Sequence, residues 1–161
     1  MVVENDILIP EWQSWLREGK EVRFTPSGVS MRPFIEGGKD SVVLAPVTAP
    51  KIGDIILAEV IAGGGRRTYV LHRLIRISND IKQPQTTSND VVFVLQGDGN
   101  LYGEEYCKRE DLIGYVIAVE TPTGKRKRLT RGRLWFYLFP VRKWLLKIYR
   151  HTILKWNYAN N

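Results

Sequence analysis

Residues 54–77, DIILAEVIAGGGRRTYVLHRLIRI, decide the fold class. Two runs rich in Ile, Val and Leu flank three consecutive glycines at 63–65. β-Branched side chains suit a pleated sheet better than a helix. Glycine supplies the backbone conformations of a tight turn. The stretch predicts a hairpin with its tip at Gly63–Gly65. Similar runs lie on both sides: KEVRFTP (20–26), DSVVLAP (40–46), DVVFVLQ (90–96) and LIGYVIAVE (112–120). In the first, Val22 and Phe24 alternate with Glu21 and Arg23, the period of a strand with one buried face. Parallel neighbours would need crossovers of about a dozen residues, usually helical, and no helix-length pattern separates these runs. The fold class expected is mainly β, a coiled antiparallel sheet or partly closed barrel.

Helices are expected only at the ends. PEWQSWLREG (10–19) reads as a short helix, with Pro10 in its first turn, Gly19 at its end and Trp12, Trp15 and Leu16 as its docking side. Near the other end, residues 140–156 read as an amphipathic helix. Val141, Trp144, Leu145, Ile148 and Thr152 share one face, and Lys143, Lys147, Arg150 and His151 cluster opposite. Residues 78–90 are polar and read as an excursion between strands. The expected organisation is a β-rich domain with its short helix over 1–122, then a basic linker and helix over 123–161.

Composition narrows the function classes. The chain has 161 residues, 43% of them hydrophobic, which is a folded domain rather than a disordered one. A single cysteine, Cys107, excludes an intrachain disulfide, and with two histidines it leaves little material for a metal site. No metal or cofactor is expected. No secretory signal and no apolar run of about 18 residues is present, so a cytoplasmic protein is expected, peripheral at most to the inner membrane face. Charge is divided along the chain. The first 120 residues hold 13 Lys/Arg and all 17 Asp/Glu, whereas residues 121–161 hold the other 11 Lys/Arg and no acid. The basic stretch 125–156 suits an anionic membrane surface. Non-specific nucleic-acid binding is the weaker reading of the same composition, and packing on its own domain stays open.

Three short segments carry residue types fit for chemistry. Ser30 lies in SGVSMRPFI (27–35), His72 in YVLHRLI (69–75) and Asp98 in QGDGN (96–100). A serine hydroxyl becomes a nucleophile when a neighbouring base takes its proton. Imidazole is the side chain matched to that transfer near neutral pH, and an acid can hold the imidazole in the right tautomer. Pattern alone leaves the plainer readings open: a turn serine, a satisfied strand histidine and an ordinary tight turn.

The order of motifs adds a resemblance. Gly28-x-Ser30-Met31-x-Pro33-x-Ile35-x-x-Gly38, Gly53-Asp54-Ile55, His72-Arg73-x-Ile75, Gly97-Asp98-x-Asn100 and Ile113-Gly114-Tyr115-Val116 resemble the signal-peptidase and SOS-repressor peptidase superfamily over residues 19–120. His72 stands where the bacterial signal peptidases and the repressors have a lysine base, so the chain is most similar to the Ser-His branch of endoplasmic-reticulum, archaeal and sporulation-type signal peptidases. Arg73 could not serve as the base, because guanidinium does not deprotonate in proteins. The resemblance implies a coiled β fold and a serine endopeptidase acting through an acyl-enzyme. Ser30 is the implied nucleophile, His72 the base and Asp98 the acid. Glu104 and Glu105 lie near a second acidic position of the family. Ser27, Gly28, Met31 and Pro33 are the implied oxyanion and substrate contacts. The substrate would be a peptide or leader segment bound as an extended strand, with small side chains near the cut. Two departures stand out: no membrane anchor is read at the N-terminus, and Gly28 occupies the position where many relatives carry an oxyanion-hole serine. One lost oxyanion donor costs about 3 kcal/mol of transition-state stabilisation. A non-catalytic binding module that keeps the fold is the alternative. Self-cleavage is a weaker one, because the obvious small-residue–glycine bond, Ala62–Gly63, follows Ser30 rather than preceding it.

Overall fold

The computed structural model describes residues 5–79, 91–100 and 102–127, together with the helical residues Val141, Trp144, Leu145, Lys147, Ile148 and His151. The chain divides into two units, 1–129 and 130–161.

Among its described residues the first unit is one antiparallel sheet with one α-helix. The helix α1 spans Asn5–Arg17, and the strands are β1 (Val22–Phe24), β2 (Ser41–Ala45), β3 (Ile55–Ile61), β4 (Arg67–Ser78), β5 (Val92–Gln96), β6 (Glu105–Cys107), β7 (Leu112–Glu120) and β8 (Arg126–Lys127). Seven strands follow the order β1-β2-β7-β3-β4-β5-β6, and β8 pairs with β7 beside this path. Because β8 belongs to the sheet, the β unit continues past residue 122, beyond the expected boundary. The sheet is open rather than closed into a barrel. Its edge strands β1 and β6 have three residues each, so little unpaired backbone is presented there.

The expected hairpin is present. Every residue of β3 from Ile55 to Ile61 pairs with β4 from Arg73 back to Arg67. Ala62 N–H donates to the Arg66 carbonyl at 2.8 Å to close the loop around 63–65. Side chains alternate across β3, so it is buried on both faces. Ile55 and Leu57 join a core with Ile9, Leu16, Met31, Ile35 and Leu71. Ile56, Ala58 and Val60 join another with Leu74, Phe93, Leu95 and Cys107. That double burial explains why this strand reads as a near-continuous apolar run.

Helix α1 begins five residues before the expected start, so Pro10 lies inside it rather than in its first turn. Its end is as read. Lys20 N–H bonds the Trp15 carbonyl and Gly19 N–H the Leu16 carbonyl, with Gly19 at φ 79°, the left-handed stop that glycine favours. The docking side differs by one residue. Ile9 and Leu16 are buried, and Trp12 meets Phe24 with ring centroids 4.8 Å apart. Trp15 is 43% exposed, because its helical position falls at the margin of the stripe defined by 9, 12 and 16. β6, β8 and the 3-10 turn Arg109–Asp111 were not expected from the sequence. Of the excursion expected at 78–90, Ser78 is the last residue of β4, and residues 80–90, like most of the expected helix at 140–156, lie outside the described residues. No described helix is long and apolar enough to cross a membrane.

Leu16→Ala should therefore destabilise the protein by about 2–4 kcal/mol, as a fully buried leucine does. Trp15→Ala should cost less than about 1 kcal/mol. Chemical denaturation of both variants checks this, and a larger loss at Trp15 would contradict the docking face.

Candidate active site

The segment between β1 and β2 holds Ser30 in a series of tight turns. Arg32 N–H donates to the Val29 carbonyl at 3.1 Å, and Phe34 and Ile35 N–H groups both donate to the Met31 carbonyl, at 3.1 and 3.0 Å. Arg32 pairs with Glu36 along the same turn. The Arg32–Pro33 peptide is cis. Met31 and Ile35 anchor the segment in the core. Further on, the backbone doubles against itself: a Cβ on Gly37 would lie 1.9 Å from the Gly28 carbonyl oxygen, so only glycine fits there.

Ser30 and His72 line one cavity of about 130 Å³, with Ser27, Gly28 and Met31 from the loop and Tyr69, Val70 and Leu71 from β4. Pro33, implied as a contact by the resemblance, is exposed and does not line it. Among the described residues Ser30 and His72 share this cavity without a hydrogen bond between them.

The acid that meets His72 is Glu105. His72 Nδ1 lies 2.9 Å from Glu105 Oε2, with the histidine side chain almost fully buried. A carboxylate accepts, so Nδ1 is the donor, and in the neutral imidazole that tautomer leaves Nε2 as the acceptor. Strand register explains the contact. Glu105 stands opposite Leu95, and Leu95 opposite Leu74, two residues along β4 from His72. Directly paired residues and residues two apart share a face of the sheet. Glu104 is committed elsewhere. It accepts from Arg76 Nη2 at 3.0 Å and from the Tyr106 hydroxyl at 2.9 Å, and that bond raises the Tyr106 pKa.

Asp98 does not orient His72. Its Oδ1 accepts from Arg73 Nε at 2.8 Å and its Oδ2 from Arg73 Nη2 at 2.6 Å. Period-two alternation is the physical reason: residue 73 faces the side of β4 opposite to residue 72, and Asp98 approaches from that side. Arg73 also donates from Nη1 to the Gly53 carbonyl at 2.6 Å, and its guanidinium carbon sits 5.8 Å from the Phe34 ring centroid. With side chains 2% and 0% exposed, this is a desolvated ion pair.

The ion pair supports the serine loop from beneath. Gly99 N–H, next to Asp98, donates to the Ser30 carbonyl at 2.7 Å. A Cβ on Gly97 would lie 2.7 Å from the Ser30 carbonyl oxygen, and one on Gly99 3.0 Å from that of Val29. The Gly-Asp-Gly sequence is thus a platform: glycine on either side lets the serine loop lie directly on the turn, and the acid between them fixes the turn to β4.

Cys107 offers no alternative nucleophile. Cys107 is buried, and burial, with a smaller contribution from Asp111, pushes its thiol up to about 12. It stays protonated and inert at neutral pH. It borders a larger cavity of about 370 Å³ near Glu59, Arg67 and Glu110, which contains neither Ser30 nor His72. No protein-family model matches the chain, and no curated protein matches it.

Asp98→Asn should cost about 3–5 kcal/mol of stability, since it leaves the Arg73 charge buried without a counter-ion. A denaturation midpoint close to that of the parent protein would contradict the platform role.

Proposed function

We propose that the protein is a serine endopeptidase of the Ser-His signal-peptidase type, acting through an acyl-enzyme on a peptide held as an extended strand. The observation that carries this reading is the shared cavity of Ser30 and His72, with the imidazole held through Nδ1 by Glu105. Ser30 Oγ attacks the scissile carbonyl carbon while Nε2 of His72 accepts the hydroxyl proton. The tetrahedral intermediate collapses, the C–N bond breaks, and the imidazolium returns its proton to the leaving amine. Water, deprotonated by the same base, then hydrolyses the ester. Glu105 holds the tautomer and stabilises the imidazolium as it forms. The Ser30 N–H is the first candidate oxyanion donor, with Ser27 on the same rim.

Strand topology supports the mode of binding. β5 pairs with β4 only from Arg73 onward, so along 67–72 β4 pairs with β3 alone among the described residues. A substrate strand added alongside this part of β4 would lead its carbonyls towards His72 and Ser30. The cavity of about 130 Å³, floored by Met31, Ile35 and Leu71, is well below the roughly 300–1,000 Å³ of ordinary small-molecule pockets. It suits one small side chain beside the cut. The lack of a Ser30–His72 hydrogen bond favours a second reading, a peptide-binding module. Catalytic hydrogen bonds that tighten only with substrate bound are common, so the distinction rests on kinetics.

Cleavage of a synthetic peptide mixture, read by mass spectrometry, tests the two readings. Ser30→Ala and His72→Ala should each abolish cleavage, and the double variant should lose little more, because the two act as one unit. Undiminished cleavage by Ser30→Ala would remove the peptidase reading. Peptide binding with no cleavage by the parent protein would leave the binding module.

Glu105→Gln should lower kcat by about 10²–10⁴-fold with folding stability little changed, the behaviour of an acid that fixes a tautomer. A loss of stability matching the loss of rate would make Glu105 a structural residue instead.

A further inference from the structure

The last 41 residues, 121–161, hold 11 Lys/Arg and no acid. The six described residues of their helical stretch sort by the α-helical step. Val141, Trp144, Leu145 and Ile148 share one face, and Lys147 and His151 border it. Here Trp144 is 64% exposed, Val141 47% and Ile148 45%.

The occupant of such a face must satisfy two demands together. Eleven cations without an anion call for a dense negative surface. An exposed indole beside two β-branched aliphatic side chains calls for an apolar medium within a side chain's length of that charge. Nucleic acid meets the first demand and offers Trp144 a base to stack on, but gives Val141 and Ile148 no apolar phase. An anionic bilayer meets both demands in one plane. We propose that the helical residues Val141, Trp144 and Ile148 seat the protein on an anionic lipid surface at the acyl boundary, with Lys147 among the headgroups. Lying in that plane is the mode open to a basic amphipathic helix, and tryptophan is the side chain enriched there. The attachment does not depend on the peptidase reading, and it would bring the cavity of Ser30 to peptides that emerge at a membrane.

Co-sedimentation of the full chain with lipid vesicles tests the proposal. The vesicles are phosphatidylcholine alone or phosphatidylcholine mixed with phosphatidylglycerol, at low and high salt. Retention should be confined to the anionic vesicles. It should fall by at least about tenfold at high salt, since each basic side chain near the surface contributes about fivefold and is screened. Trp144→Ala should weaken binding about tenfold with an unchanged melting temperature, because the indole is exposed and supports no core. Ser30→Ala should bind as the parent does, so this outcome and the peptidase test fail separately. Equal retention on neutral vesicles, no retention on anionic ones, or retention indifferent to Trp144→Ala would each overturn the proposal. Retention of duplex DNA without vesicle binding would overturn it in favour of nucleic acid.

Discussion

The ion pair between Arg73 and Asp98 is the constraint on which the rest of the candidate site depends. A guanidinium this deeply buried is tolerated only when its donors are matched, and here Nε, Nη1 and Nη2 each have an acceptor. Those acceptors come from distant parts of the sequence. Gly53 lies in the turn before β3, and Asp98 in the turn after β5. Leu74, next to Arg73, binds the same region, accepting from Gly53 N–H and donating to the Asp54 carbonyl, both at 2.8 Å. One side chain on β4 therefore fixes two turns, and the second turn carries the serine loop. The position of Ser30 follows from packing beneath it rather than from contacts in the cavity itself.

This division of labour explains what the sequence disclosed and what it did not. The strands were legible because their Val and Ile runs are bounded by turn residues, and β3 with β4 was the clearest case. The motifs Gly53-Asp54, His72-Arg73 and Gly97-Asp98-Gly99 were legible as a set, and they do meet in space. Their roles were harder to read. An acid in a glycine turn and a histidine in a strand suggest a partnership, yet adjacent residues of a strand face opposite ways. Asp98 belongs to Arg73, and the histidine takes its acid from β6.

That strand was the least visible part of the sheet. Three residues, Glu105–Cys107, give no measurable period, and the glutamates at 104 and 105 look equivalent in one dimension. The distinguishing signal is parity counted from Cys107. That residue is buried in the core with Leu74 and Leu95, so Glu105, two positions away, shares its side and Glu104 does not. At the amino end, an interior proline concealed the first turns of α1, because a proline before an aromatic helix reads as its beginning.

The placement of Arg73 beside His72 also guards against a misassembled sheet. A shift of β4 by one residue would exchange their faces. In one direction the guanidinium would take the place of His72 beside the cavity of Ser30, and Leu74 would stand before Asp98, with the carboxylate and the Gly53 carbonyl unmatched. Such a shift loses the fork of hydrogen bonds at the same moment that it displaces His72 from Glu105. A chain that has closed the buried ion pair has thereby aligned its strand, so proofreading of the register and assembly of the candidate catalytic pair are a single event.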